Sequence, residues 1–172
     1  METTKNKMPN NASIFFNKLG NYLDTKIYYY GSIQRLDYFP KSSDIDVDIF
    51  TDNEKSTLLK IKNFLNDSNY KINKFVYKLH KSGILVHGYK IKYNDDFSTE
   101  ISIYNEKYKD AVLLEHNSKI HVPFYISIML IIIKVFYYNL SLLPKSYYFY
   151  LKKIIMDYLI EGQAAEFVTL EM

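Results

Sequence analysis

Apolar and polar positions follow helix-like and strand-like rhythms along this chain, and the rhythm changes at each element boundary. Residues 1–12 are polar and read as a flexible tail. From Ser13, placed to cap, Phe15, Phe16, Leu19, Tyr22 and Leu23 recur at the spacing of one helix face. Residues 26–30 read as a strand that stops at Gly31-Ser32, and a loop around Pro40 leads into a second strand. Thr51, Asp52 and Glu54 open a helix running to about residue 66, with Leu58, Leu59, Ile61, Phe64 and Leu65 inward. Three further strands are expected over residues 72–79, 84–93 and 99–104, separated by turns at Lys81-Ser82-Gly83 and Asn94-Asp95-Asp96.

Beyond residue 104 the pattern turns helical, over residues 105–116, 123–138 and 145–161. Pro123 and Pro144 stand near helix starts and Gly162 at a C-terminal cap. The apolar run 123–133 invites a membrane reading, but Lys134 interrupts it well short of the roughly 20 apolar residues a bilayer needs. A buried helix covering the sheet is expected instead. The predicted fold is α/β in the broad sense (α+β), with a mixed, mainly antiparallel five-stranded sheet. Residues 13–104 form its core, and residues 105–172 form a helical segment packed on it within a single domain.

Composition narrows this picture only a little. The 172 residues carry a net charge of +3, with 18 tyrosines but no tryptophan and no cysteine. Disulfides and thiolate metal sites are therefore excluded, which fits a reducing compartment. With no signal-peptide pattern or transmembrane run, the expected location is cytoplasmic. The basic balance suits a nucleotide or polynucleotide partner. Lysines at 71, 74, 78, 81, 90 and 92 offer either a polynucleotide track or ordinary edge protection. His80, His87, His116 and His121 lack metal-site spacing and read as surface or structural histidines.

The second strand carries the chemistry. In Asp44-Ile45-Asp46-Val47-Asp48-Ile49 the aspartates share one face and the aliphatic side chains the other. Charges two residues apart on a strand lie about 7 Å apart and repel by roughly 2 kcal/mol at an effective dielectric near 20. A polyvalent cation relieves that repulsion.

Gly31-Ser32 after an aromatic strand, a spacer of roughly a dozen residues, and then Ser43-Asp44-Ile45-Asp46-Val47 together resemble the signature of the nucleotidyltransferase superfamily, of the DNA polymerase beta-like and poly(A) polymerase-like type. Arg35, the only arginine, matches a position in small members of that group, whereas Leu36 replaces their glycine. The resemblance covers residues 14–104 and implies transfer of a nucleoside monophosphate from a nucleoside triphosphate to an acceptor hydroxyl, on a polynucleotide 3′ end, a protein or a small molecule. It implies two divalent ions, Mg²⁺ or Mn²⁺, held by Asp44, Asp46 and a third acid. Glu100, alternating with Ile101 and Ile103, is the candidate for that place, while Asp95 and Asp96 read as turn formers. Gly31 and Ser32 would hold the triphosphate, with Arg35 or Lys41 adding charge. Asp46 and Asp48 also alternate, so the metal pair is Asp44/Asp46 or Asp46/Asp48, the Ser43-Asp44 junction favouring the first. The rival reading is a regulatory or antitoxin-like binding module on the same fold, with little or no turnover.

Overall fold

A computed structural model of the chain describes residues 1–66, 70–157 and, as backbone, 167–171. The proposed helix end at residues 158–161 and the Gly162 cap lie outside the described residues. The strands are β1 (Tyr28–Tyr30), β2 (Ile45–Thr51), β3 (Tyr70–Lys78), β4 (Leu85–Asn94), β5 (Ser98–Asn105) and β6 (Phe167–Glu171). They form one six-stranded sheet in the order β1-β2-β5-β4-β3-β6. Only β2 and β5 pair in parallel; the other neighbours are antiparallel. The expected mixed, mainly antiparallel sheet is present. β6, in a segment read as helical, adds an edge strand, its backbone pairing with Asn73–Tyr77 of β3.

The helices are α1 (Asn10–Leu23), α2 (Glu54–Leu65), α3 (Lys109–Ser118), α4 (Phe124–Lys134) and α5 (Lys145–Ile154). Pro9, Pro123 and Pro144 immediately precede α1, α4 and α5, where fixed φ suits a helix start. Asn53 caps α2 by accepting a hydrogen bond from the Ser56 N–H at 3.0 Å. The two-residue strand period sorts the core into two halves. Ile45, Val47, Ile49, Ile101, Ile103 and Ile91 pack under α1 and α2 on one face. On the other, Tyr28, Phe50, Phe75 and Tyr104 form an aromatic cluster closed by Val112 of α3. The acids of β2 and β5 share this second face, beyond the end of the aromatic cluster.

Two regions differ from expectation. Residues 1–6, read as a flexible tail, are tied down: the Tyr29 N–H donates to Met1 O at 2.7 Å, and Asn6 and Lys5 bond to the segment 33–35. The helix α4, expected to be buried, is one-sided. Ile126, Leu130 and Lys134 point inward, while Phe124, Tyr125 and Ile132 are exposed to 71%, 62% and 48%. An apolar run without polar alternation hides which side faces inward. No helix among the described residues is long and apolar enough to cross a membrane.

Candidate active site

The parallel pairing of β2 with β5 sets the site. Asp46 stands opposite Glu100 in that register, and residues so paired lie about 4.8 Å apart with side chains on the same face. On its other side Asp46 pairs with Tyr30, the last residue of β1, so the turn that follows begins beside this carboxylate. That turn is a short 3₁₀ segment, Gly31–Gln34, entered through Gly31 at φ +72°. A side chain at position 31 would collide with Asp46 Oδ2. Only glycine meets both demands.

Gly31, Ser32, Asp44 and Asp46 line one cavity of about 260 Å³. Asp44 precedes β2 and is exposed, whereas Asp46 is half-buried. Burial and the neighbouring charge of Glu100 push the Asp46 carboxyl above its ordinary range, with Asp44 adding to the effect. Asp48 is placed differently. It is fully buried outside the cavity lining, with Oδ2 2.9 Å from His116 Nε2. The His116 ring stacks on Tyr30 with centroids 4.0 Å apart, and Tyr30 contacts Ser102 Oγ at 3.4 Å. A strand pattern cannot separate Asp46 from Asp48; the exposure and partners of each do.

Glu100 shares the face of Asp46 but its carboxylate is engaged from β4. Lys90 Nζ lies 2.5 Å from Oε1 and Lys92 Nζ 3.1 Å from Oε2. Burial works to raise its pKa, yet the two lysines outweigh burial and hold it below the usual glutamate range. Among the described residues no group of three or more His, Asp or Glu side chains is gathered closely enough to hold a metal by itself. The donor set still suits Mg²⁺, which is commonly bound through one or two carboxylates together with substrate phosphates. The observation that fits a cation is the burial of the Asp46 carboxyl beside Glu100 and Asp44, which raises its pKa although Lys152 and Lys90 act against the rise.

Arg35 and Lys41 go separate ways. The Arg35 side chain borders the cavity but is 4% exposed and forked onto Asp37, with Nε–Oδ1 at 2.8 Å and Nη2–Oδ2 at 3.2 Å. Lys134 of α4 reaches the same carboxylate at 2.9 Å and the Asp37 carbonyl at 2.5 Å, and lies 3.3 Å from Ser43 Oγ. Burial would raise Asp37, but Arg35 and Lys134 prevail and lower it to about 2. Lys41 lines a separate depression with Pro9, Asn11 and Pro40.

The helical segment supplies residues the sequence did not single out. His116 of α3, Lys119 just after that helix, Lys134 of α4, and Tyr148, Phe149 and Lys152 of α5 join the cavity wall. Lys134 had one signal, a cation at an inward position of an apolar helix. The candidate lysine track divides by strand parity: Lys71, Lys90 and Lys92 share the site face, and Lys74 and Lys78 lie on the opposite one. A larger surface groove of about 780 Å³ runs between α1 and β1 and includes none of these acids.

Residues 13–160 match the family model of the nucleotidyltransferase domain. The chain belongs to the nucleotidyltransferase family. No curated protein matches it in sequence. Among solved structures it is similar to a cytoplasmic RNA terminal U-transferase, with 17% identity, a TM-score of 0.41, and coverage of 76% of this chain and 40% of that one. Terminal uridylyl transferase 4 from Trypanosoma brucei is similar in its CTP-bound form, with 12% identity, a TM-score of 0.35, and coverage of 63% of this chain and 39% of that one. Its GTP-bound form gives 12% identity and a TM-score of 0.36, with coverage of 66% and 40%. This nucleotidyltransferase chain thus spans about two fifths of the length of those chains.

Proposed function

We propose that the cavity binds a nucleoside triphosphate and that the chain is a metal-dependent nucleotidyltransferase, moving a nucleoside monophosphate to an acceptor hydroxyl. The observation that supports it most directly is the meeting of Asp44, Asp46, Gly31 and Ser32 with Lys119 and Lys152 in one cavity. In this reading the turn and the lysines receive the triphosphate, and Asp44 and Asp46 face its reacting end. The acceptor oxygen bonds to the α-phosphorus as the bond to pyrophosphate breaks, and pyrophosphate leaves toward the lysine side. Two divalent ions, Mg²⁺ or Mn²⁺, held by Asp44, Asp46 and Glu100, would supply charge neutralisation and activation of the acceptor oxygen. Glu100, kept ionised by Lys90 and Lys92, orients the acceptor hydroxyl and is a weak proton acceptor at its lowered pKa. Arg35 is assigned to Asp37 rather than to phosphate, and Lys41 to neither.

The engagement of Glu100 by two lysines favours a second reading, in which the domain binds nucleotide as a regulatory or antitoxin-like module without turnover. Melting curves with each of the four common triphosphates, with and without Mg²⁺ or Mn²⁺, test both readings. A ligand at 100 times its dissociation constant adds about 2.7 kcal/mol, and a shift that requires the divalent ion is expected. No shift with any of them removes both readings. Intact-mass spectrometry of RNA, small hydroxyl compounds and lysate protein after incubation then separates them: a transferred nucleotide identifies the enzyme and its acceptor class, and binding without transfer identifies the module.

A further inference from the structure

The Gly31–Ser32 turn is held in place from outside by the first residues of the chain. Asn6 donates through Nδ2 to the carbonyl oxygens of Ile33 at 2.9 Å and Arg35 at 2.7 Å, and its backbone N–H donates to Ile33 O at 3.2 Å. Gln34, only 1% exposed, returns the contact. Its Nε2 donates to Thr3 O at 2.7 Å and Tyr29 O at 3.2 Å, and its Oε1 accepts from the Lys5 N–H at 3.0 Å. The two side chains therefore tie the strand before the turn, the turn itself and the residue after it to one short segment.

The turn needs such an external brace. It is only four residues long, too short to be self-supporting as a helix, and Gly31 at its entrance has the greatest backbone freedom of any residue type. Leu36, 67% exposed, follows where the resembled group has glycine and packs on little. Ile33 anchors the middle of the turn in the hydrophobic core, while Asn6 holds the carbonyls of Ile33 and Arg35 from the outer side.

We propose that Asn6 and Gln34 are positioning residues for the triphosphate: the segment 3–6 acts as a strap that fixes the Gly31–Ser32 backbone against Asp46. The inference rests on the reading of the cavity given above. Neither residue touches the bound group, and both act through the turn, whose free N–H groups would meet the phosphate oxygens.

Asn6→Asp is the decisive variant. It keeps the size of the side chain, removes both donated hydrogen bonds and sets a carboxylate against two carbonyl oxygens. Hydrogen exchange of the amides at residues 31–35, titration with ATP, CTP, GTP and UTP plus Mg²⁺, and melting without ligand are compared with the wild type. The expected result is markedly faster exchange in the turn, triphosphate affinity weaker by about tenfold because the loosened turn must be ordered on binding, and a melting temperature lower by several degrees from the two lost hydrogen bonds. In a transfer assay the KM for triphosphate rises while kcat at saturation is largely kept. Gln34→Glu, which retains the acceptor for Lys5 but loses both donations, should give the same pattern. Asn6→Ser retains one donor and falls between, and it decides the matter where Asn6→Asp does not fold. Unchanged exchange and affinity in a folded variant overturn the strap. A wild type that binds no triphosphate overturns the cavity reading and with it the triphosphate role, while the exchange arm still decides whether the strap holds the turn.

Discussion

Gly31 and Asp46 are in direct contact, so closely that a single added carbon on the glycine would overlap the carboxylate oxygen. The turn and this acid therefore behave as one unit. Gly31→Ala must adopt a left-handed backbone, costing about 1–2 kcal/mol, and must also push Asp46 aside. The expected outcome is a folded protein destabilised by roughly that amount in a denaturant titration, with metal-dependent triphosphate binding lost. Wild-type binding would show that the acid and the turn move independently.

Asp46→Asn should raise stability while ending transfer. Burial and Glu100 raise the folded-state pKa of Asp46 above its unfolded value. Its contribution is therefore favourable when protonated at low pH, and it declines as pH rises through the raised value. Near pH 8 in EDTA the neutral amide is expected to melt higher, by an equivalent of at least about 1 kcal/mol, because raising a carboxyl pKa by one costs its ionised form about 1.4 kcal/mol. With Mg²⁺ and triphosphate the order reverses, because only the wild type gains ligand stabilisation. A lower melt for the variant in EDTA would show that Asp46 is not under repulsion.

Asp37 predicts the opposite acid response. Despite burial, Arg35 and Lys134 lower its pKa to about 2, so its stabilising contribution is present above the unfolded value near 4 and is lost as pH falls toward 2. The stake is about 2–3 kcal/mol. Urea midpoints between pH 6 and 2 should fall steeply over that window, and Asp37→Asn, already weakened by leaving two buried cations without their anion, should flatten the fall. An equally steep fall in the variant would assign the acid sensitivity elsewhere.

The acids should divide their labour. Glu100→Gln removes the charge opposite Asp46 and is expected to keep near-normal triphosphate binding with transfer reduced at least about a hundredfold. Asp44→Asn should weaken metal-dependent binding as well as transfer. Isothermal titration beside a transfer assay reads both. Full activity in Glu100→Gln would redirect the search to Asp95 or Asp96, and full activity in Asp44→Asn would move the metal pair to Asp46 and Asp48.

Much of this was legible because strand parity is a local property. Alternating Asp and aliphatic residues placed Asp46 and Asp48 on one face, and the two-residue rule put Glu100 on a face of its own strand before any pairing was known. Exposure depends on distant neighbours and was not legible: nothing near Asp48 announces that His116, 68 positions later, will be set against it. The pairing of Arg35 with Asp37, two residues on, was within local reach, but its burial depended on Lys134 from a helix at the other end of the domain. The ends of the chain misled for one reason. Polar residues 1–6 have no periodic signal because backbone and amide hydrogen bonds, not apolar contacts, hold them, and β6 is too short to stand out beside three helical segments.

The pairing of β6 with β3 has a consequence for how this protein must be handled. A strand edge left without a partner is a template for another molecule, and here the last described segment of the chain is what occupies it. A version trimmed before Phe167 would keep Asp44, Asp46, Asp48, Glu100 and the described cavity wall, yet would uncover the β3 edge at Asn73–Tyr77, where Lys71, Lys74 and Lys78 are the lysines of that strand. Losses seen on shortening the chain would then arise from association between molecules, and light scattering, rather than a transfer assay, would reveal them.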